Sequence, residues 1–272
     1  MDASNILRLV FCEASMDETR DESKQKLALC LPWDSAFMFT KFTMSALNLQ
    51  HPEGYEVRWF GGRGWCPARR HADACEQAIA WGCDLLCILG ADQVYEPDLL
   101  CRLIHRYEQV GGQGMIAAMV PMRGFVDWQA EMQPFQPLAW QSDEHGQLHI
   151  IVRDQGEFLH AHIIGTGVLL FHRDVYLSLK NPKFYERVDP ETMHRVADMD
   201  SNFVRRMQFE TGTRLYVDTT IMVKHCHVFE IDDTFQRRFA DWADPATPGI
   251  DRSIVRFREE LPVFFQEEGT EG

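Results

Sequence analysis

No stretch of this 272-residue sequence comes near the ~18 uninterrupted apolar residues of a membrane-spanning helix. The opening MDASNILRLVFCEASMDETRDE also lacks the basic start and long apolar run of a secretory signal. A cytoplasmic chain without a membrane span is therefore expected. There is no CxxC pair among the eight cysteines, Cys12, Cys30, Cys66, Cys75, Cys83, Cys87, Cys101 and Cys226. Most of them sit among apolar neighbours, which favours buried free thiols over disulfides or a metal cluster. Positive charge is scarce, with 27 Lys and Arg against 41 Asp and Glu and a formal net charge of -14. Sequence-independent attraction to nucleic acid comes from basic residues neutralising phosphates, so this balance disfavours it while leaving a local basic groove compatible. No internal repeat is present.

What is there is a globular composition, 45% hydrophobic and 25% charged, enough for one sizeable core. Residues 26–31 (KLALCL) read as a buried strand ending in Pro32, Trp33 and Asp34, followed by a helix with Met38, Phe42, Ala46 and Leu49 on one face. Residues 55–60 form a second strand that runs into the turn GGRG, and Ala68, Ala72, Cys75 and Ile79 then recur at helical spacing until Gly82. Residues 84–89 (DLLCIL) give a third strand, with a helix opening near Pro97 and Asp98. Three strand–helix repeats predict an α/β fold with a mostly parallel central sheet and helices on both faces. Ligands of such sheets bind beyond the carboxyl ends of the strands.

The second half is less periodic. Residues 115–120 read as a strand, 121–156 as active-site loops with a short hairpin, and 163–171 as a strand interrupted by Gly165-Thr166-Gly167. A helix over 200–209, stopped by Gly212, precedes two late strands, 214–218 and 221–223. The expected organisation is an extension (1–25), a main domain (26–230), C-terminal helices packing on it (231–264) and a disordered tail (265–272).

Three places have residues suited to chemistry. Asp92 lies just past a buried strand, with Gly90 and Ala91 keeping the approach open; there a carboxylate can hold Mg²⁺ or Mn²⁺ against nucleotide phosphates, or simply cap the next helix. His225 and His227 follow an apolar strand, where imidazole can join the same ion, form half of a zinc site, or belong to the surface or core. Asp198 and Asp200 flank a helix start, where a carboxylate serves either as a general base toward an acceptor hydroxyl or as an N-cap.

Taken in order and spacing, these segments resemble, over about residues 26–227, the short bacterial and phage family-2-like glycosyltransferases of the GT-A fold. Leu31-Pro32-Trp33-Asp34 is similar to their nucleotide loop, and Ala68-Arg69-Arg70 to an "ARN" helix start, with Arg70 in place of Asn. GADQVYEPDLL occupies the place of their Asp-x-Asp segment, with Gly90 where the first Asp usually stands. Residues 165–173 (GTGVLLFHR) match an acceptor-side "GTGxLLxxR" strand. Residues 200–203 (DSNF) and 216–220 (YVDTT), through His225, follow the family's "E-D-x-x-F" and "YVDTS…H" course, with Asp198 standing in for the first acid.

The resemblance implies a nucleotide-sugar donor, UDP by family habit, held by Pro32, Trp33, Asp34, Arg69, Ala91 and Asp92. It implies Mn²⁺ or Mg²⁺ on Asp92 and His225, with His227 beside them. Gly165, Thr166 and Gly167 would face the acceptor, and Asp200, with Asp198, would supply the base. The acceptor is left open between a saccharide and a hydroxymethylated base in phage DNA, for which the pairs Arg69-Arg70, Arg205-Arg206 and Arg237-Arg238 offer basic patches or solvated helix faces. Two rivals stand beside this reading. A nucleotidyltransferase would show a glycine-rich phosphate loop with Lys directly after the first strand, and Pro32-Trp33-Asp34 offers none. A non-catalytic nucleotide-sugar-binding protein is suggested by Gly90.

Overall fold

Strand β1 (Gln25–Leu31) alternates Leu27, Leu29 and Leu31 toward one core with Ala28 and Cys30 toward another, and all five are buried. A strand apolar on both faces must be covered on both, so this short segment already requires helices on either side of a sheet. The computed structural model describes residues 24–33, 38–121, 138–152 and 155–226. Asp34, His227, the segments expected to form C-terminal helices and the expected tail lie outside the described residues, as does the expected N-terminal extension apart from Lys24 and Gln25.

After β1 come α1 (Thr40–Leu47), β2 (Tyr55–Gly61), α2 (Pro67–Trp81), β3 (Leu85–Leu89), the two-residue β4 (Gln93–Val94), α3 (Leu99–Gln109) and β5 (Gly114–Met119). Smaller elements follow: β6 (Ala139–Ser142), β7 (Leu148–Ile150), β8 (Phe158–Ala161) and β9 (Ile163–Ile164). The chain continues through β10 (Val168–His172), α4 (Arg173–Ser178), β11 (Arg187–Val188), β12 (Arg195–Ala197), α5 (Met199–Thr211), β13 (Arg214–Met222) and β14 (Lys224–His225).

Seven strands form the central sheet in the order β2-β1-β3-β10-β5-β13-β8. The pairings β1–β2, β1–β3 and β5–β13 are parallel, whereas β10 runs against β3 and β5, and β8 runs against β13. Five strands thus point one way, and the sheet is mostly parallel as expected. Helix α2 puts Ala74, Cys75 and Ala78 into the core that also takes Phe203, Val204 and Met207 of α5. Helices α1 and α3 cover the opposite face, α3 through Leu99, Leu100, Leu103, Ile104 and Tyr107. The small residues of α2 allow close approach to the sheet. Gly82 ends that helix at φ 80°, a left-handed conformation without steric cost for glycine.

Two expectations change in detail. The late strands 214–218 and 221–223 are one strand, β13, whose register shifts between Asp218 and Met222. The polar DTT segment suggests a break, but its side chains find partners inside the sheet. Asp218 meets Arg106, and the Thr219 hydroxyl donates to the Gly156 carbonyl, so the strand continues through a bulge. The hairpin expected within 121–156 is β6–β7, while edge strand β8 and the β11–β12 pair have no clear periodic signal. Among the described cysteines, all free, Cys30, Cys75, Cys83 and Cys87 are buried. Among the described residues no helix is long and apolar enough to cross a membrane.

Candidate functional site

β1 lies between β2 and β3, so the chain first steps outward to β2 and then returns past β1 to β3. Such a reversal opens a crevice beyond the carboxyl ends of the strands. Pro32 and Trp33 follow β1 at that edge, Gly90 to Asp92 follow β3, and Pro121 follows β5. Because β10 is antiparallel, its preceding turn, Gly165-Thr166-Gly167, arrives at the same edge. The backbone knits these loops together: Gly62 N–H donates to Leu31 O at 2.9 Å and Gly90 N–H to Gly167 O at 2.8 Å.

Strand β14 pairs with β4, placing His225 opposite Gln93, and Cys226 N–H donates to the Asp92 carbonyl at 2.6 Å. This bridge carries the end of the sheet to the Asp92 loop. His225 Nε2 then lies 3.2 Å from Asp92 Oδ2, and its Nδ1 lies 2.9 Å from the Pro121 carbonyl. A carbonyl only accepts, so Nδ1 holds the ring proton and Nε2 is turned toward the carboxylate. A histidine tied through one nitrogen to a backbone carbonyl, with the other beside a carboxylate, is the arrangement that orients imidazole for a metal. Among the described residues no group of three or more His, Cys, Asp or Glu gathers to hold a metal, so the pair by itself would offer a divalent ion two ligands and leave the rest of the shell to substrate phosphates.

The second group of residues is centred on Thr166, which is buried. Its hydroxyl lies 2.7 Å from Asp200 Oδ1, and its backbone N–H is 3.4 Å from Asp200 Oδ2. The acidic pair divides its work: Asp198 is the N-cap of α5, accepting from Ser201 N–H at 2.7 Å, while Asp200 in the first turn reaches Thr166. On the other side, His71 of α2 places Nε2 3.5 Å from Thr166 Oγ and Nδ1 2.9 Å from the Pro67 carbonyl. Burial lowers the His71 pKa; the charge of Asp200 and the bond to Pro67 push it back up, and Arg70 pushes it down.

The remaining expected site residues fall as follows. Trp33 is half-buried, and its indole N–H has no acceptor among the described residues. Ala91 and Asp92 form the turn between β3 and β4. Arg69 lies on the outer side of α2, 3.5 Å from Asp73 and 3.1 Å from Glu76, so its charge is already partnered there.

Two residues escape a reading of the sequence. Gln93 is 2% exposed, and its amide fills the space beside both Gly90 and Gly167. A Cβ on Gly167 would stand 2.0 Å from Gln93 Nε2, and one on Gly90 would stand 2.8 Å from it. The amide thus occupies room that an aspartate at position 90 would need, and its Oε1 has no partner among the described residues. His71 is the other. Its signal was present, because 68, 71, 72 and 75 form a helical stripe whose other members are apolar, so the ring faces inward.

No protein-family model matches the sequence, and no curated protein is significantly similar to it. Among solved structures, the chain is similar to A197 from STIV, at 14% identity and a TM-score of 0.45, covering 76% of this chain and 86% of that one. It is also similar to GalNAc-T7 crystallised with UDP, GalNAc and Mn²⁺, at 9% identity and a TM-score of 0.46, covering 89% of this chain and 55% of that one. UDP-glucose pyrophosphorylase from Acinetobacter baumanii matches at 13% identity and a TM-score of 0.37, over 69% of this chain and 61% of that one.

Proposed function

We propose that this chain is a metal-assisted glycosyltransferase of the GT-A type, transferring a sugar from a nucleotide-diphosphate donor, UDP by family habit, to an acceptor hydroxyl. The observation that carries the reading is the convergence of Asp92 and His225 at the switch point of the sheet, with His225 held by Pro121 so that Nε2 faces the carboxylate. Asp92 and His225 would hold Mn²⁺ or Mg²⁺, with His227 two residues on. An ion held there would supply positive charge against the departing diphosphate.

The chain's own groups divide the remaining work. Pro32, Trp33 and Asp34 bound the nucleotide, with the Trp33 indole N–H as a donor. Gly165, Thr166 and Gly167 lie on the acceptor side, where the Gly167 carbonyl accepts from Gly90 N–H and the absence of a side chain at Gly167 leaves room for the Gln93 amide. Asp200 takes the proton of the acceptor hydroxyl as its oxygen bonds to the sugar's anomeric carbon. The bond from that carbon to the diphosphate breaks with its electron pair on the leaving oxygen, giving an inverting displacement. The partnered state of Arg69 and Arg206, the latter 2.6 Å from Glu210, leaves less free positive charge for a nucleic-acid backbone and supports a saccharide acceptor over modified DNA.

The test is a thermal-shift panel of UDP, GDP, CDP and dTDP sugars with and without Mn²⁺, since a ligand that binds the native state alone raises its melting temperature. A Mn²⁺-dependent rise with one donor, absent in Asp92→Ala and His225→Ala, is expected. No rise with any donor would sink the reading. A binding protein without transferase activity is favoured by one observation, the Gln93 amide in the space an acid at position 90 would need. It predicts the same rise without donor turnover.

A further inference from the structure

The Thr166 hydroxyl has one proton and two neighbours able to accept it. Asp200 Oδ1 is 2.7 Å away on α5, and His71 Nε2 is 3.5 Å away on α2. The Pro67 carbonyl, four residues before His71 on its own helix, can only accept, so it fixes the neutral imidazole as the tautomer with hydrogen on Nδ1. Nε2 then presents a lone pair to Thr166. In that state hydroxyl and ring compete for a single proton, and the shorter, charge-assisted bond to Asp200 prevails. The 3.5 Å separation from Nε2 is what an unshared pair of acceptors would keep. Adding a proton to His71 changes the order of donors. Nε2–H then donates to Thr166 Oγ, and the hydroxyl donates onward to Asp200, so three groups form one chain from imidazolium through hydroxyl to carboxylate.

We propose that His71 is a positioning residue for Asp200, acting through the Thr166 hydroxyl: the ring's protonation decides whether Asp200 is held by a free hydroxyl or by one polarised from behind. This rests on the reading of Asp200 as the base. The neutral ring leaves the carboxylate its full capacity to take a proton from an acceptor. The protonated ring stabilises the carboxylate charge and weakens it as a base, so transfer falls as the ring takes up its proton. The surroundings give the ring a defined setting. Among the described residues, the charges acting on it are Asp200 from α5, which favours the imidazolium, and Arg70 from its own helix, which opposes it. The Phe184 ring packs against it with centroids 5.1 Å apart, and itself stacks on Phe203 at 3.9 Å. Thr166 is 2% exposed, so water does not readily replace the hydroxyl as the link.

The experiment is a pH titration of the His71 ring Cε1–H resonance in the full chain, assigned with His71→Gln, and run as a double-mutant cycle. Asp200→Asn is expected to move the His71 midpoint to lower pH. With Thr166→Val, which keeps the shape but removes the hydroxyl, the same Asp200→Asn change is expected to move it markedly less. Thr166→Ser restores the larger shift and guards against a fold disturbed by valine. Equal shifts in the wild-type and Thr166→Val backgrounds would show simple charge across space and overturn the relay. So would a His71 midpoint indifferent to Asp200. This readout needs neither donor nor acceptor, so a failed donor panel with a successful cycle removes the transferase reading alone, and the reverse result removes only the relay.

Discussion

Asp198 and Asp200 show at single-residue scale why a motif needs a structure beside it. Two acids around a helix start are consistent with a base but by themselves favour a cap, and only the family resemblance points to Asp200 as the base. The fold separates them: Asp198 accepts from Ser201 N–H as the N-cap of α5, and Asp200, within the first turn, is bonded to Thr166 across from His71. Asp198→Ala is therefore expected to cost about 1 kcal/mol of stability, the usual loss of an N-cap, with donor binding kept. Asp200→Asn is expected to keep stability and donor binding while lowering transfer by about 10²–10⁴-fold, the usual contribution of a general base. Urea unfolding of both variants beside a transfer assay checks the division. Normal turnover in Asp200→Asn would remove the base assignment. The placement of Asp92 and His225 beside strand ends is legible because each follows an apolar run. That of Gln93 is not, since an amide after an acid in a loop has no pattern, and only the closeness of two glycine backbones shows the space it fills.

At the scale of elements, periodicity located β1, β2, β3, α2 and α3 well, because a core on each face of the sheet forces continuous apolar strands and striped helices. It failed where partners are polar or edges exposed. β13 looked broken at its Asp-Thr-Thr segment, and β8, half-exposed at the sheet edge, has no strong alternation. The join between β2 and α2 is similarly invisible in the sequence beyond its glycines. Gly62 approaches the first turn of α2 so closely that a Cβ there would stand 1.8 Å from the Arg70 carbonyl oxygen and 3.1 Å from Ala74 Cβ. The obstacle is backbone, so relief requires moving the helix that carries His71. Gly62→Ala is expected to destabilise by roughly 1–3 kcal/mol, the usual cost of forcing atoms into a filled space. Gly61→Ala, one residue earlier and with nothing within 4 Å of the added methyl, should stay within about 0.5 kcal/mol. Comparable losses in the two variants, measured by urea denaturation, would mean that close packing at Gly62 does not hold this turn.

For the molecule as a whole, one buried carboxylate ties together parts that the chain separates widely. Asp218, 1% exposed on β13, accepts from Arg106 Nε of α3 at 2.7 Å and from the Thr220 amide at 2.8 Å, and Arg102 donates to the Thr220 hydroxyl. The Arg106 guanidinium also lies 5.0 Å from the Phe158 ring on β8, so helix, strand and sheet edge share the group. Burial by itself raises the Asp218 pKa, but the bonds from Thr220 and Arg106 outweigh it and leave the carboxyl below its ordinary value. A carboxyl whose pKa is depressed in the folded state contributes stability above the unfolded value of about 3.9 and loses it as pH falls through the folded value. The contribution should therefore be complete at pH 7, begin to shrink near pH 4 and vanish in stronger acid. Asp218→Asn removes the charge and leaves the half-buried Arg106 to Gln109 at 3.0 Å and the exposed Glu157 at 3.8 Å, which is expected to cost about 1–3 kcal/mol at pH 7. Urea midpoints of wild type and variant, taken from pH 7 down to pH 3 with unchanged slopes, should converge as acidity rises. A gap that stays constant to pH 3 would mean the stabilisation is packing and not charge, and that acid reaches this fold through other carboxylates.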